Sequence, residues 1–263
     1  MKLSIIIVNY NVCGYLERCL RSVYRATEAL VAEIIVIDNA STDGSREYIS
    51  ARFPHLIYIY NAQNVGFARA CNQGIRQARG AYILLLNPDT LLAADTLITV
   101  LAFADAHPEA GAIGVKMVDE NGRFLPESKR GIPTPLVALG KLTGLYRLFP
   151  SSRRLNGYYR NDLNADAVHR VEVLAGAFML MPRAVLDKVG LLDEDFFMYG
   201  EDIELSVRIL QGGYVNYYLP CPIVHYKGKS TRRKCSLRYI RSFYGAMLIY
   251  YRKCKNVHNP YKQ

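Results

Sequence analysis

The sequence predicts an α/β fold built on a mostly parallel sheet with helices on its faces. Three observations predict it. Short apolar runs of strand length recur through the first half, stretches of helical period separate them, and the runs stop at polar clusters.

Residues 3–8 are almost continuously Ile and Val, the pattern of a strand covered on both faces. Residues 14–25 then place Leu16, Cys19/Leu20 and Val23 at helical spacing. A second buried strand over 33–37 ends at Asp38, a helix is expected over 44–52, and a third strand over 56–60. Residues 67–79 put Ala70/Cys71, Ile75 and Ala78 on one helical face, and a fourth strand over 81–86 stops at Asn87-Pro88-Asp89. A helix over 93–106 and a strand over 110–118 complete the alternation.

The second half is less regular. Asn121-Gly122 marks a hairpin turn. Residues 126–170 carry prolines and basic residues around a short apolar helix candidate, 136–149, and read as an insertion over the site. Strand character returns over 171–182 and 214–219, with a helix over 201–211 between them and another expected at 236–253. Ligands of such sheets sit beyond the carboxyl ends of the strands, so residues 9–11, 38–43 and 87–89 should converge on one rim.

Composition narrows the class. With 51% hydrophobic and 21% charged residues the 263-residue chain is ordinary for an α/β protein. It has no apolar run of the roughly 18 residues a membrane span needs, and its N-terminus lacks the pattern of a secretory leader, so a cytoplasmic location is expected. Six cysteines without CxxC spacing argue against zinc knuckles and disulfide scaffolds. The net charge of +10 is local: eleven Lys/Arg and no acid lie from Lys227 onward, against 22 basic and 23 acidic residues before it. Such a tail suits anionic lipid, pyrophosphate or nucleic acid, and the chain holds no nucleic-acid module.

Common nucleotide signatures are missing. The first strand leads into Asn9-Tyr10-Asn11 instead of GxGxxG, no P-loop occurs, and residues 38–49 fail as a calcium loop because Asp43 and Ile49 hold its sixth and twelfth positions. Asp89, at the end of an apolar strand, could hold Mg²⁺ or Mn²⁺ against substrate phosphates; taken alone, Asn-Pro-Asp-Thr reads better as a turn that caps the next helix.

Four spaced motifs decide between these readings. Ile34-Ile-Val-Ile-Asp-Asn-Ala-Ser-Thr-Asp-Gly-Ser45, Asn64-Val-Gly-Phe-Ala68 with Asn72, Leu84-Leu-Leu-Asn-Pro-Asp89, and Tyr199-Gly-Glu-Asp-Ile-Glu-Leu205 with Arg208 and His225 together resemble glycosyltransferase family 2. The resemblance runs from residue 3 to about 230, and within the family it is nearest to bacterial rhamnosyltransferases of surface polysaccharide. It implies a GT-A fold over 1–226, with 126–170 as an acceptor-side insertion and 227–263 as a basic, partly helical tail.

The resemblance also implies roles. Tyr10 would stack on the nucleotide base and Asp38 would accept an imide N–H, with Asn64 and Asn87 also on the nucleotide sugar. Asp89 and His225 would hold Mg²⁺ or Mn²⁺, although Asn87 stands where the family's Asp-x-Asp motif has its first acid. Asp202 would be the catalytic base, at the start of a helix whose dipole favours an anion, and Glu201 and Glu204 could reach the acceptor. The implied reaction is an inverting single displacement from a UDP- or dTDP-sugar, dTDP-rhamnose foremost, to a lipid-linked or glycan acceptor.

A sugar-nucleotidyltransferase is the rival enzyme, though it would begin with a Gly-rich basic phosphate loop; a non-catalytic nucleotide-sugar scaffold is the other rival. The tail is expected to meet an anionic membrane by electrostatic attraction and shallow apolar insertion; its tyrosines and aliphatics at helical spacing could instead pack on the domain, or both could hold, with the apolar stripe inward and the basic one outward.

Overall fold

The computed structural model describes residues 1–133, 158–226 and 237–254; the helix candidate 136–149 and the basic cluster 232–234 fall outside the described residues. The expected alternation is present. Strand β1 (Leu3–Asn9) leads to helix α1 (Cys13–Ala26), β2 (Ala32–Asp38) to α2 (Ser45–Arg52), and β3 (Ile57–Tyr60) to α3 (Phe67–Gln77). Then come β4 (Tyr82–Leu86), a two-residue β5 (Thr90–Leu91), α4 (Thr96–Ala106) and β6 (Ala110–Val118). The second half adds β7 (His169–Arg170), β8 (Phe178–Pro182), α5 (Arg183–Val189), α6 (Glu201–Gln211), β9 (Val215–His225) and α7 (Leu237–Cys254).

The strands form one sheet in the order β3-β2-β1-β4-β8-β6-β9-β5, with β7 also against β9. The alternating side chains of β1 explain its unbroken apolar run. Leu3, Ile5 and Ile7 pack with Leu16 and Leu20 of α1 and Leu97 and Val100 of α4. Ile6 and Val8 pack with Cys71 and Ile75 of α3, Leu186 of α5, and Leu205 and Ile209 of α6. A strand buried on both faces has no polar side to show.

The sheet departs from simple parallel order in its second half. β8 runs antiparallel between β4 and β6, and the short β5 and β7 run antiparallel to β9. The late strand also runs past its expected end at 219. Pro220 and Pro222 obscured this, since proline is tolerated within a strand only at an edge or a bulge. The register against β6 steps from Val115↔Leu219 to Lys116↔Pro222, and that bulge lets β9 continue to His225. The expected turn at Asn121-Gly122 is present: the Asp119 carboxylate accepts the N–H groups of Asn121 and Arg123 at 2.8 and 2.9 Å, and Val118 bridges Phe124.

The tail helix forms as expected, and its apolar residues divide between the domain and the surface. Ala246 is buried, and Lys253 donates to Asp193 and, at 2.6 Å, to Asp195. Met247, Leu248 and Tyr251 stay 40%, 60% and 56% exposed. On the described part of α7 the inward contact is thus partly ionic and the outward face largely apolar.

Candidate functional site

At the carboxyl ends of β1 and β2 the last residues are in register, Asn9 opposite Asp38. The Asp38 carboxylate is fully buried and accepts three hydrogen bonds: from Asn9 Nδ2 at 2.8 Å, Tyr58 Oη at 2.7 Å and the Ser41 N–H at 2.7 Å. Burial, reinforced by this bond and the Asp38 charge, pushes the Tyr58 hydroxyl pKa upward and keeps it a donor. Asn11 accepts the Thr42 N–H at 2.7 Å, tying the turn after β1 to the turn after β2. Asp43 caps α1 by accepting the Cys13 N–H at 2.8 Å. Burial alone would raise the Asp43 pKa, but hydrogen bonds from Ser45 and Cys13 hold it below the usual value.

Of the residues expected on the nucleotide, Tyr10 stands 41% exposed on this rim. Asn64 is half-buried and accepts the Gly66 N–H at 3.0 Å. Asn87 is half-buried at the end of β4. Asp38 is enclosed at the end of β2, where its carboxylate also fixes the turn through Ser41.

Asp89 and His225 lie far apart in sequence and meet through strand pairing. Thr90 pairs with His225 across β5 and β9, and the Tyr226 N–H donates to the Asp89 carbonyl at 2.9 Å. The imidazole Nε2 then sits 3.3 Å from Asp89 Oδ1, with both side chains largely buried. Neighbouring ligands on a Mg²⁺ or Mn²⁺ octahedron with bonds of about 2.1 Å stand roughly 3 Å apart, so this spacing suits two ligands of one ion. Among the described residues no group of three His, Cys, Asp or Glu could hold a metal. The pair therefore fits a cation whose other positions go to water and substrate phosphate oxygens, the usual habit of Mg²⁺.

The acidic helix is placed by the loop before it. Asn72 of α3 donates to the Leu192 carbonyl at 2.8 Å and to Glu194 at 2.9 Å, and accepts the Leu192 N–H at 3.1 Å. Gly66, at φ 91°, lets the same loop close in, since a Cβ there would lie 2.7 Å from the Phe197 carbonyl oxygen. Tyr199 and Gly200 both take positive φ, 72° and 95°, which turns the chain sharply into α6. For a tyrosine that conformation is strained, as residues beside functional sites often are.

At the start of α6 the two adjacent acids part company. Asp202 Oδ2 accepts from Arg130 Nη2 at 2.5 Å and from the Gly176 N–H at 3.1 Å, while Oδ1 accepts the Ile203 N–H at 2.8 Å. Gly176 precedes Ala177, whose carbonyl accepts the Asn87 N–H at 3.0 Å. One short backbone run thus joins the Asn87–Asp89 turn to Asp202 and puts both on the same rim. Nothing in the sequence singled out Arg130 or Gly176; Arg130 sits in a stretch that reads as an ordinary basic loop.

The other two acids have different surroundings. Glu204 makes two bonds to Arg208, at 2.7 and 2.6 Å, and Arg208 also holds the carbonyls of Val189 and Leu191. Through Arg208 its carboxylate helps to anchor α5 against α6. Glu201 is buried near Cys71, whose thiol pKa is raised first by its own burial and then by Glu201, and the Glu201 Oε2 has no hydrogen-bond partner among the described residues. Burial, and then the Asp202 charge, push its pKa well above the ordinary carboxylate range. The folded protein therefore keeps a proton there that the unfolded chain releases above about pH 4.5. Stability should fall as pH rises from that value toward the folded one. Glu201→Gln should flatten this fall: in thermal melts from about pH 5 to about pH 8 the variant loses less Tm than the parent. Parallel Tm profiles would contradict a protonated Glu201.

The sequence model of the family described as glycosyl transferase family 2 matches residues 4–190. The chain belongs to glycosyltransferase family 2. This glycosyltransferase is 29% identical over 243 residues to the N-acetylglucosaminyl-diphospho-decaprenol L-rhamnosyltransferase of Mycobacterium tuberculosis, covering 88% of this chain and 78% of that one. It is 27% identical over 236 residues to an Escherichia coli rhamnosyltransferase, covering 87% and 84%. Its GT-A fold is shared with a Staphylococcus aureus TarS structure of residues 1–349, at TM-score 0.63 and 19% identity, covering 98% of this chain and 67% of that one. A GalNAc-T7 structure with UDP, GalNAc and Mn²⁺ also matches at TM-score 0.63 and 19% identity, covering the whole of this chain and 52% of that one.

Proposed function

We infer that this glycosyltransferase is an inverting, metal-dependent enzyme that moves a sugar, rhamnose foremost, from a dTDP- or UDP-sugar to a lipid-linked or polysaccharide acceptor in bacterial surface-glycan synthesis. The observation that carries the reading is the approach of Asp202 to the Asn87–Asp89 turn through Gly176 and Ala177. A base and a phosphate-facing pair on one rim are what a displacement at an anomeric carbon requires.

Asp202 is the proposed base. A carboxylate has about four lone-pair positions, and three are taken here, two on Oδ2 and one on Oδ1. The acceptor's proton therefore goes to the second lone pair of Oδ1 as its hydroxyl oxygen attacks. Asp89 and His225 would hold Mg²⁺ or Mn²⁺, which when bound neutralises charge on the nucleoside diphosphate leaving group. Tyr10 offers an exposed ring for the base, beside a turn that Asp38 holds in place, and Asn64 and Asn87 line the approach to the sugar diphosphate.

The reading includes a membrane-bound acceptor beside the anionic inner leaflet. Support comes from the acid-free tail and the exposed Met247, Leu248 and Tyr251 on α7. Shallow apolar insertion and about 1 kcal/mol per basic residue act together on such surfaces. The decaprenol-linked acceptor named for the mycobacterial relative points the same way. No helix among the described residues is long and apolar enough to cross a membrane.

The test supplies dTDP- and UDP-sugars with polyprenyl-diphosphate-linked glycan in anionic vesicles. Mass spectrometry should find a glycan one sugar longer, and flotation with the vesicles should weaken as salt rises. Formation of a nucleotide sugar from NTP and sugar phosphate, without transfer, would overturn the reading. Equal flotation with neutral vesicles would overturn the membrane placement.

A further inference from the structure

Two consecutive cations, Lys129 and Arg130, are buried beside the site, which is rare unless each is matched by partners. Their segment is fixed to the body where the Arg130 N–H and C=O pair with Val173 at 3.1 and 2.9 Å. From it the two side chains reach different partners. Lys129 Nζ donates to the carbonyls of Arg160 and Leu163 at 2.7 and 2.8 Å, holding the described part of the 126–170 insertion. Arg130 donates through Nη2 to Asp202 Oδ2 and the Leu174 carbonyl, both at 2.5 Å, and through Nη1 to Tyr158 Oη at 3.3 Å. Tyr158 is tied to the same segment again, its carbonyl accepting the Gly131 N–H at 2.8 Å.

We propose that Arg130 is a positioning residue for Asp202, and that through Tyr158 and Lys129 it makes the orientation of the base depend on the fold of the acceptor-side insertion. The proposal rests on Asp202 being the base. A planar guanidinium can hold a carboxylate, a carbonyl and a phenol in one plane, whereas an ammonium offers a single point of charge. With Arg130 and the Gly176 N–H on Oδ2, the rotation of the carboxylate is fixed and Oδ1 keeps the open lone pair. Among the described residues Arg130 Nε is buried without a hydrogen-bond partner; a buried ion pair of that kind is poor design for stability alone.

Among the described residues, the charged and titratable groups facing Asp202 are Arg130, with Tyr158 behind it, and Glu201 on its own helix; Gly176 adds its N–H and Phe67 of α3 lies beside Gly176. Among the described residues, Arg130 is the cation that faces Asp202, and its removal changes the charge next to that carboxylate.

The test is steady-state transfer by Arg130→Met, Arg130→Lys and Tyr158→Phe, with nucleotide-diphosphate binding by calorimetry and folding by thermal melt. Arg130→Met should lower kcat by about 10²-fold, the usual cost of a misplaced group, with nucleotide binding unchanged and the acid limb of the pH–rate profile moved to higher pH. Arg130→Lys should recover part of kcat and move the limb back, and Tyr158→Phe should cost several-fold in kcat. Should Arg130→Met fail to fold, the other two variants decide. In an Asp202→Asn background Arg130→Met should cost nothing further, because the group it orients is gone. Equal losses in Arg130→Met and Arg130→Lys with an unmoved acid limb, or unchanged kcat in both, would overturn the proposal. If Asp202→Asn itself keeps full activity, it is the assignment of the base that has failed.

Discussion

Asp202→Asn should lower transfer by about 10²–10⁴-fold, the ordinary worth of a general base, while nucleotide-sugar binding stays within about twofold of the parent. The substitution is nearly isosteric and the hydrogen bonds dictate how the amide must sit. Arg130 Nη2 and the Gly176 N–H both donate toward Oδ2, so the amide oxygen takes that position. The NH₂ group then replaces Oδ1, the atom left to receive the acceptor's proton, and an amide nitrogen accepts none. The same swap faces the NH₂ with the Ile203 N–H, removes a negative charge from the first turn of α6, a loss of about 0.3–1 kcal/mol, and leaves buried Arg130 without its counter-ion, which costs more. Donor binding and a cooperative thermal melt therefore serve as controls, and rate is the property that Asp202→Asn is expected to lose most. Glu204→Gln should behave in the opposite way, because it weakens the Arg208 clamp on Val189 and Leu191. Kinetics of the three single variants at saturating donor settle the assignment: a large kcat loss in Glu204→Gln or Glu201→Gln with near-normal Asp202→Asn would show that another carboxylate is the base.

The features legible in the sequence and those hidden from it have a common physical cause. β1, β2 and β4 were readable because burial on both faces forces a run such as Ile5-Ile-Ile-Val8, and few other local structures need it, whereas β3 lies half-exposed at the sheet's edge. The polar residues that end those runs were readable for the same reason, since a strand leaving the core exposes the residues after it. β5 and β7 were not readable. Two residues form no period, and Thr90-Leu91 or His169-Arg170 becomes a strand only because β9 is there to pair with it. The continuation of β9 to His225 was hidden by prolines that a bulge absorbs. Glu201, Asp202 and Glu204 could be found as a group, but their separate fates depend on Arg130, Cys71 and Arg208, which tertiary structure alone brings near. Arg130 is the clearest case: its importance lies in a contact across 72 residues, and no local pattern marks it.

Transfer should vanish when divalent cations are chelated and return with Mg²⁺ or Mn²⁺, and Asp89→Ala should abolish that rescue and weaken donor binding. The electrostatics of the rim give the reason. Asp89 contributes the one carboxylate of the proposed pair, His225 contributes a nitrogen, and Asn87 brings no charge where a second acid could have stood. A divalent ion held by one carboxylate and one neutral imidazole keeps net positive charge, which a diphosphate then satisfies. Affinity for the ion alone should therefore be weak, and ion and nucleoside diphosphate should bind cooperatively; by linkage each must raise the other's affinity by the same factor. Calorimetric titration of Mn²⁺ with and without UDP or dTDP measures that factor directly. Asn87→Asp should shrink it by tightening the ion's grip in the absence of nucleotide. His225→Ala should lose less than Asp89→Ala, since it removes a ligand but leaves the charge. Full turnover in excess chelator, or Mn²⁺ binding that ignores both nucleotide and Asp89, would remove the metal from the mechanism and leave the Asp89–His225 pair as a contact that holds β5 against β9.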